Sequence, residues 1–140
     1  MKATSQGRIK QKYSFEAQVV HANIDLRSSI REIAAPVFSL YSLLKGNPRD
    51  YFLVRVNGES MKDIGINDGD TLIVNSRALP QDSDIVIASL NGETLVKTFK
   101  VIDGDIYLIA ENKQFLPIKI YPEEQFAILG VVKYVIHKID

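Results

Sequence analysis

The sequence predicts a mainly β protein: one curled antiparallel β-domain with one short helix near residues 39–46 and a flexible N-terminal arm. Three observations carry this expectation. Runs rich in valine, isoleucine and aromatic residues recur at 51–56, 71–75, 84–90, 94–102, 105–110 and 126–137. Short punctuating segments separate them: Asn67-Asp68-Gly69-Asp70, Ala78-Leu79-Pro80, Asn91-Gly92 and Asp103-Gly104. No stretch after Asp50 has the long helical periodicity that the crossovers of a parallel sheet require. Asn91-Gly92 and Asp103-Gly104 are the pairs that type I′ hairpin turns favour, because both central residues take positive φ.

The elements follow in order. Residues 1–14 are polar and basic, with Lys2, Arg8, Lys10 and Lys12 and no apolar periodicity, and are expected as a solvated, mobile tail. Phe15 to Val20 alternates loosely enough for a short strand. From His21 to Ala35 the isolated apolar residues Ile24, Leu26, Ile30 and Ile33 suit either an extended arm or a short helix. The boundary is accordingly drawn at residue 35, with an arm over 1–35 and the β-domain over 36–140. In Ser39-Leu40-Tyr41-Ser42-Leu43-Leu44-Lys45-Gly46-Asn47-Pro48, serine offers an N-cap oxygen and Leu40, Leu43 and Leu44 share a helical face. Gly46 suits a left-handed C-terminal residue, and Pro48 blocks continuation.

Composition narrows the chemistry. A chain of 140 residues, 46 % apolar and 24 % charged, is a single globular domain by size and content. Seventeen basic and seventeen acidic residues cancel, so no net field draws the chain onto nucleic acid or an anionic membrane. Direct, specific DNA binding is therefore not expected, and a connection to DNA would run through a partner. The absence of cysteine removes disulfides, thiolate metal sites and cysteine nucleophiles together. Two histidines far apart, His21 and His137, leave almost no material for a metal site or a serine-histidine-aspartate triad, and no cofactor is expected. No apolar run reaches a membrane span, and the chain reads as cytoplasmic.

The loop between the first two strand runs, Gly58-Glu59-Ser60-Met61 through Asp68-Gly69-Asp70, opens with a serine. A serine hydroxyl needs a neighbouring base to become a nucleophile, and with histidine scarce, a neutral lysine is the available one. The reference lysine pKa of about 10.4 must then fall by roughly 3 units, which burial supplies by penalising the charged form. Strand alternation places Lys97 on the face of Leu95, Phe99 and Val101, and Lys100 with Thr94, Val96 and Thr98 on the other. Lys97 is thus expected inside and Lys100 in water. The plainer alternative is a lysine at a sheet edge that snorkels into solvent.

Gly58-x-Ser60-Met61, Asp68-Gly69-Asp70, Lys97 and Glu111-Asn112-x-x-Phe115-x-Pro117-Ile118, in this order, resemble the S24 family of serine-lysine self-cleaving proteins, the LexA/UmuD-like group. The similarity runs from about Val37 to the C-terminus. Pro48, Tyr51-Phe52, the position of Ser60 and Gly130-Val131-Val132 look most like its UmuD branch, and no helix-turn-helix segment precedes them. The resemblance implies the LexA/UmuD peptidase fold, with Ser60 as nucleophile and Lys97 as the general base that later protonates the leaving amine. Backbone N–H groups around Ser60 would hold the oxyanion. It further implies a homodimer, a RecA filament as the trigger of cleavage, and regulation of the catalytic subunit of an error-prone translesion DNA polymerase.

The resemblance breaks at the bond to be cut. The family usually cuts Cys-Gly or Ala-Gly upstream of the serine, where small residues let the chain lie flat in the cleft. The corresponding place here is Ile24-Asp25, and neither pair occurs anywhere in the chain. Three readings stay open: cleavage beside Ala22, Ala34 or Ala35, action in trans on another chain, or an uncleaved dimeric binding subunit or repressor-like regulator. A signal-peptidase relative, with the same serine-lysine chemistry, is disfavoured because such enzymes carry proline where this chain has Asp63.

Overall fold

The computed structural model describes residues 17–21 and 43–139. Eight strands among them form one sheet: β1 Ala17–His21, β2 Tyr51–Val56, β3 Thr71–Asn75, β4 Ile85–Leu90, β5 Glu93–Ile102, β6 Asp105–Ile109, β7 Ile118–Lys119 and β8 Phe126–Ile136. Their spatial order is β1-β2-β3-β8-β4-β5-β6-β7, and every neighbouring pair is antiparallel. The expected mainly β, antiparallel class is what the chain adopts. Ala17 on β1 packs in one cluster with Val96 on β5, so the sheet curls until its first edge meets its middle.

The six expected runs correspond to β2, β3, β4, β5, β6 and β8, displaced by a residue at most. Both hairpins form as their turn dipeptides require, with φ +50° and +88° at Asn91 and Gly92, and +52° and +82° at Asp103 and Gly104. Ile118–Lys119 was not expected as a strand: Pro117 precedes it and only two residues pair with β6. Pro48 follows the non-helical residues 44–47 rather than ending a helix. It opens a 3₁₀ turn, Pro48–Asp50, whose Arg49 N–H donates to the Asn47 side chain at 2.9 Å. Of the helix expected over 39–46, residues 39–42 lie outside the described residues, as do the basic tail, Ile24-Asp25 and the candidate cleavage residues Ala22, Ala34 and Ala35; the described end does not continue it, since 44–46 are irregular and the Tyr51 hydroxyl accepts the N–H of Lys45 and donates to its carbonyl. Gly46 has the left-handed φ of +81° expected of it.

β8 is the spine. Its second half pairs with β3 and its first half with β4, and it passes from one to the other through two bulges, at Lys133 and at Leu129. A bulge adds a residue to one strand and sharpens its bend, which is how a continuous strand serves two neighbours that diverge.

Two apolar clusters fill the curl. One gathers Val54, Val56, Met61, Leu72, Ile87 and Val96; the other gathers Val86, Ala88, Leu95, Phe99, Leu108 and Val131. Successive residues of β5 therefore enter different cores, and Leu95 through Phe99 is buried on both faces. This corrects the expectation of a solvated Val96 and Thr98, because alternation predicts a wet face only where a sheet is covered on one side. Val101, expected inward, is 45 % exposed where β5 runs past both clusters. Lys100 is only partly buried and pairs with Asp82 at 3.2 Å.

The loop before β4 is tied to β5 by Asp82, whose carboxylate accepts the Val101 N–H at 2.8 Å and Lys100 Nζ at 3.2 Å. The Val101 amide first, and then Lys100, hold this carboxyl below its ordinary pKa. A depressed carboxyl contributes stability above its unfolded pKa and loses it as pH falls through the folded value. Acid titration followed by circular dichroism is expected to show a smaller loss of stability below pH 4 in Asp82→Asn than in the parent chain.

Candidate active site

Ser60 stands in the connection from β2 to β3, and that connection is fastened at its base. Val56 N–H donates to Asp70 O at 2.9 Å, and Gly69 N–H returns to Val56 O at 2.8 Å. Inside this frame the Asp68 carboxylate accepts Gly58 N–H at 2.7 Å, where Gly58 turns with φ +95°, a conformation that favours glycine. Buried Asp70 accepts Asn67 N–H at 2.8 Å and faces His137 Nδ1 at 2.6 Å. The Asp-Gly-Asp segment is thus the hinge plate of the serine loop, fixing its backbone.

After Ser60 the chain winds into a 3₁₀ turn, Lys62–Ile64, closed by Gly65 at φ +86°. Met61 and Ile66, on either side of that turn, are 1 % and 2 % exposed and anchor it in the first cluster. Met61 packs beneath the turn, as expected. Ser60 is itself buried. The N–H groups of Glu59, Ser60 and Met61 donate to no acceptor among the described residues, which leaves a run of amides around the hydroxyl available to an oxyanion.

Lys97 lies at the centre of β5 opposite Val86 and is 1 % exposed, the largest fully buried side chain among the described residues. Its Nζ sits over the Phe115 ring, 5.2 Å from the centroid. The inward placement expected from alternation is what the fold produces, and the edge-strand alternative does not hold, because β5 is flanked by β4 and β6.

One segment reaches both the turn that carries Ser60 and the Lys97 side chain. Asn112, buried, donates through Nδ2 to Glu59 O at 2.8 Å, and its own carbonyl accepts Phe115 N–H at 3.0 Å. Glu111 accepts Asp63 N–H at 2.9 Å through its carbonyl, donates its N–H to Met61 Sδ at 3.4 Å, and takes the Thr98 hydroxyl on Oε2 at 2.7 Å. The turn that carries Ser60 is therefore clamped by Glu111 and Asn112, while Phe115, a few residues on, covers Lys97 Nζ. Asn112→Ala is expected to remove one of the two donors to the Glu59 carbonyl, which keeps Lys62 N–H at 3.2 Å, and to cost about 0.5–1.5 kcal/mol of stability, read by urea unfolding.

A family model described as Peptidase S24-like matches residues 13–133. The chain belongs to the S24 peptidase family. Similar proteins include the LexA repressor of Oleidesulfovibrio alaskensis, 44 % identical over 81 residues, which are 58 % of this chain and 39 % of the repressor. The LexA repressor of Colwellia psychrerythraea is 44 % identical over 86 residues, 61 % of this chain and 41 % of its own length. That of Mycolicibacterium gilvum is 43 % identical over 108 residues, 77 % of this chain and 45 % of its own length. The chain thus spans less than half the length of these relatives, all three of which are named as repressors and none as UmuD.

In this S24 chain the contacts of Thr98 and Asn112 are the part of the site that sequence reasoning missed. Thr98 was assigned to a solvated face, and Asn112 was noted only as part of a motif. The polar pair Glu111-Asn112, directly after an apolar strand, is a local signal for Asn112 alone, and none marks Thr98. Among the described residues no helix is long and apolar enough to cross a membrane.

Proposed function

We propose that this chain is a serine-lysine peptidase that cuts a peptide bond in its own N-terminal arm, residues 1–35, with Ser60 as nucleophile and Lys97 as base. The observation that carries the reading is a lysine 1 % exposed in the middle of a central strand. A buried ammonium is costly unless the fold uses the group, and the use that fits a serine held on a clamped turn is proton transfer.

Neutral Lys97 takes the Ser60 proton as Oγ attacks the scissile carbonyl. The resulting oxyanion is held by backbone N–H groups at Glu59, Ser60 or Met61. Collapse of the tetrahedral intermediate breaks the C–N bond, and the Lys97 ammonium returns its proton to the leaving amine. Water, deprotonated by the same lysine, then hydrolyses the acyl ester and releases Ser60. The Phe115 ring both excludes water from Nζ and attracts its charged form. The attraction is worth about 0.5–2 kcal/mol, less than the roughly 4 kcal/mol that a 3-unit fall in lysine pKa represents. Desolvation has to exceed the sum of the two, about 4.5–6 kcal/mol, and a nearly complete burial is the condition in which it does.

The UmuD-type role follows as the finer proposal: a homodimer, cut in response to a RecA filament, that regulates the catalytic subunit of an error-prone translesion polymerase. A second reading is favoured by the names of the relatives and by the missing Ala-Gly or Cys-Gly pair: an uncleaved or differently cleaved regulator of the repressor type. Intact-mass spectrometry during incubation at pH 7, 8, 9 and 10 tests the chemistry. A fragment is expected whose rate of formation climbs about tenfold per pH unit until Lys97 is neutral, and Ser60→Ala is expected to abolish it. An unchanged mass at every pH, with and without activated RecA, would sink self-cleavage and leave the second reading. Pull-down of a translesion polymerase against operator-DNA binding separates the two partner classes.

A further inference from the structure

The serine connection joins β2 to β3 at one end of that pair; at the other end Tyr51 is the register partner of Asn75, and Asn75 of Val131 on β8. A recess of about 310 Å³ opens at this second end, with Lys45, Asn75 and Lys133 in its lining. Lys133 and Tyr134 both line it, although consecutive strand residues ordinarily point to opposite faces. The bulge in β8 is the reason. Ile73 pairs with Tyr134 and Val74 with Val132, so Lys133 is the extra residue, and a bulge re-aims the side chain it carries.

The walls are fixed by hydrogen bonds that leave the cationic groups unspent. Tyr51 Oη accepts the Lys45 N–H at 3.1 Å and donates to Lys45 O at 2.8 Å, and Tyr134 Oη donates to Leu43 O at 2.8 Å. Two tyrosine hydroxyls thus pin residues 43–45 against the sheet. Asn75 Oδ1 accepts Arg77 N–H at 2.8 Å and Ala78 N–H at 3.2 Å, which fixes its amide and leaves Nδ2 as the donor to spare. Among the described residues, Lys45 Nζ, Lys133 Nζ and Asn75 Nδ2 have no ion-pair or hydrogen-bond partner. No acidic residue lines the recess, and Asp50, next to Tyr51 in the chain, is engaged by Arg77 Nε at 3.6 Å.

We infer that this recess receives the carboxylate of an acidic side chain, presented by an acidic peptide segment of a partner protein. A carboxylate is acceptor-only, with two oxygens that each take more than one donor, and two ammonium groups with one amide match it. Leu43, Ala78 and the tyrosine rings supply the apolar part of the lining, against which the methylene stem of the acidic residue packs. Nucleic acid is the poorer occupant. Tyr51 is 3 % exposed, too buried to stack a base, and the balanced charge of the chain provides no basic track for a run of phosphates. The site lies at the far end of β2 and β3 from Ser60 and stands whether or not that serine cuts.

The test is an NMR titration of the full, nitrogen-labelled chain with capped hexapeptides of glycine and serine that carry a single glutamate, glutamine or lysine. Inorganic phosphate and a thymidine oligonucleotide are titrated separately. The glutamate peptide is expected to move the Asn75 side-chain amide and the backbone amides of Lys45, Ala78 and Lys133. It is expected to bind at least about tenfold more tightly than the glutamine peptide, because charge-assisted hydrogen bonds are roughly twice as strong as neutral ones. Lys45→Gln and Lys133→Gln, at exposed positions that folding tolerates, are each expected to weaken the glutamate peptide about threefold or more. Lys45→Glu combined with Lys133→Glu is expected to reverse the preference in favour of the lysine peptide. Equal affinity for glutamate and glutamine peptides, or shifts that spare Asn75, would overturn the site. A preference for glutamate that survives the double charge reversal would place the binding at other lysines and overturn it as well. Phosphate or the oligonucleotide moving the same signals at lower concentration than the glutamate peptide would replace the acidic peptide with a phosphate ligand.

Discussion

Cleavage is expected to vanish in Lys97→Met while the melting temperature stays level or rises by several degrees. The two readouts move apart for one physical reason. Methionine approximates the lysine stem in length and packs flexibly, so the space between Leu95, Phe99 and Phe115 stays filled. It has no basic nitrogen, so Ser60 loses the acceptor for its proton, and a loss of about 1,000-fold or more in rate follows from removing one member of a catalytic unit. Stability responds to the cost of keeping an amine at 1 % exposure. Replacing buried charge by apolar volume is commonly neutral or stabilising by about 1–4 kcal/mol. A lysine kept only for structure would give the opposite pattern, with lower stability and no effect on chemistry. Lys97→Arg completes the comparison. Guanidinium remains protonated at any accessible pH and is bulkier, so this variant is expected to lose both activity and stability. Intact-mass kinetics at pH 10 and thermal unfolding of the three proteins provide the data; cleavage persisting in Lys97→Met would remove the lysine from the mechanism.

The burial of Lys97 was legible because it depends on a local property, the two-residue period of a strand, applied to one short stretch. Strand extents and hairpins were legible for the same reason. Asn91-Gly92 and Asp103-Gly104 determine their own turns, and a strand that starts and stops at such turns has little freedom in its ends. Where the outcome depends on curvature, alternation failed. Val96 and Thr98 are buried because β1 and the serine turn fold back over β5, and no property of residues 94–100 encodes that approach. The clamp by Asn112 on the Glu59 carbonyl was hidden likewise: it joins segments far apart in sequence through one hydrogen bond of 2.8 Å. Ile118–Lys119 escaped notice because two residues beside a proline are too few to show a period. The candidate nucleophile and base were therefore readable, whereas the groups that hold them in place belong to tertiary structure.

Gly130→Ala is expected to destabilise the fold by about 2–4 kcal/mol, a fall in melting temperature on the order of 10 °C. A methyl group on Gly130 would lie 2.5 Å from Val74 Cγ1 and 2.8 Å from the Asn75 carbonyl oxygen. Its φ is not in the left-handed region, so the requirement is for space alone. The space is scarce because Gly130 lies between the bulges at Leu129 and Lys133, where β8 leaves β4 and joins β3; its neighbour Val131 pairs with Asn75 on one side and Val86 on the other. Shortening Val74 tests the cause. Gly130→Ala combined with Val74→Ala removes the side-chain clash but leaves the contact with a backbone oxygen, which cannot swing away. The double variant should therefore be more stable than the sum of its single losses predicts, yet remain below the parent. Strict additivity would show that the methyl group is accommodated elsewhere. Because Val131 packs with Leu95 and Phe99, the residues flanking Lys97 on its own face, the strain at Gly130 bears on the bed of the candidate base. Cleavage by the folded fraction of Gly130→Ala is expected to slow, and its recovery in the double variant would tie the close crossing of β8 to the placement of Lys97.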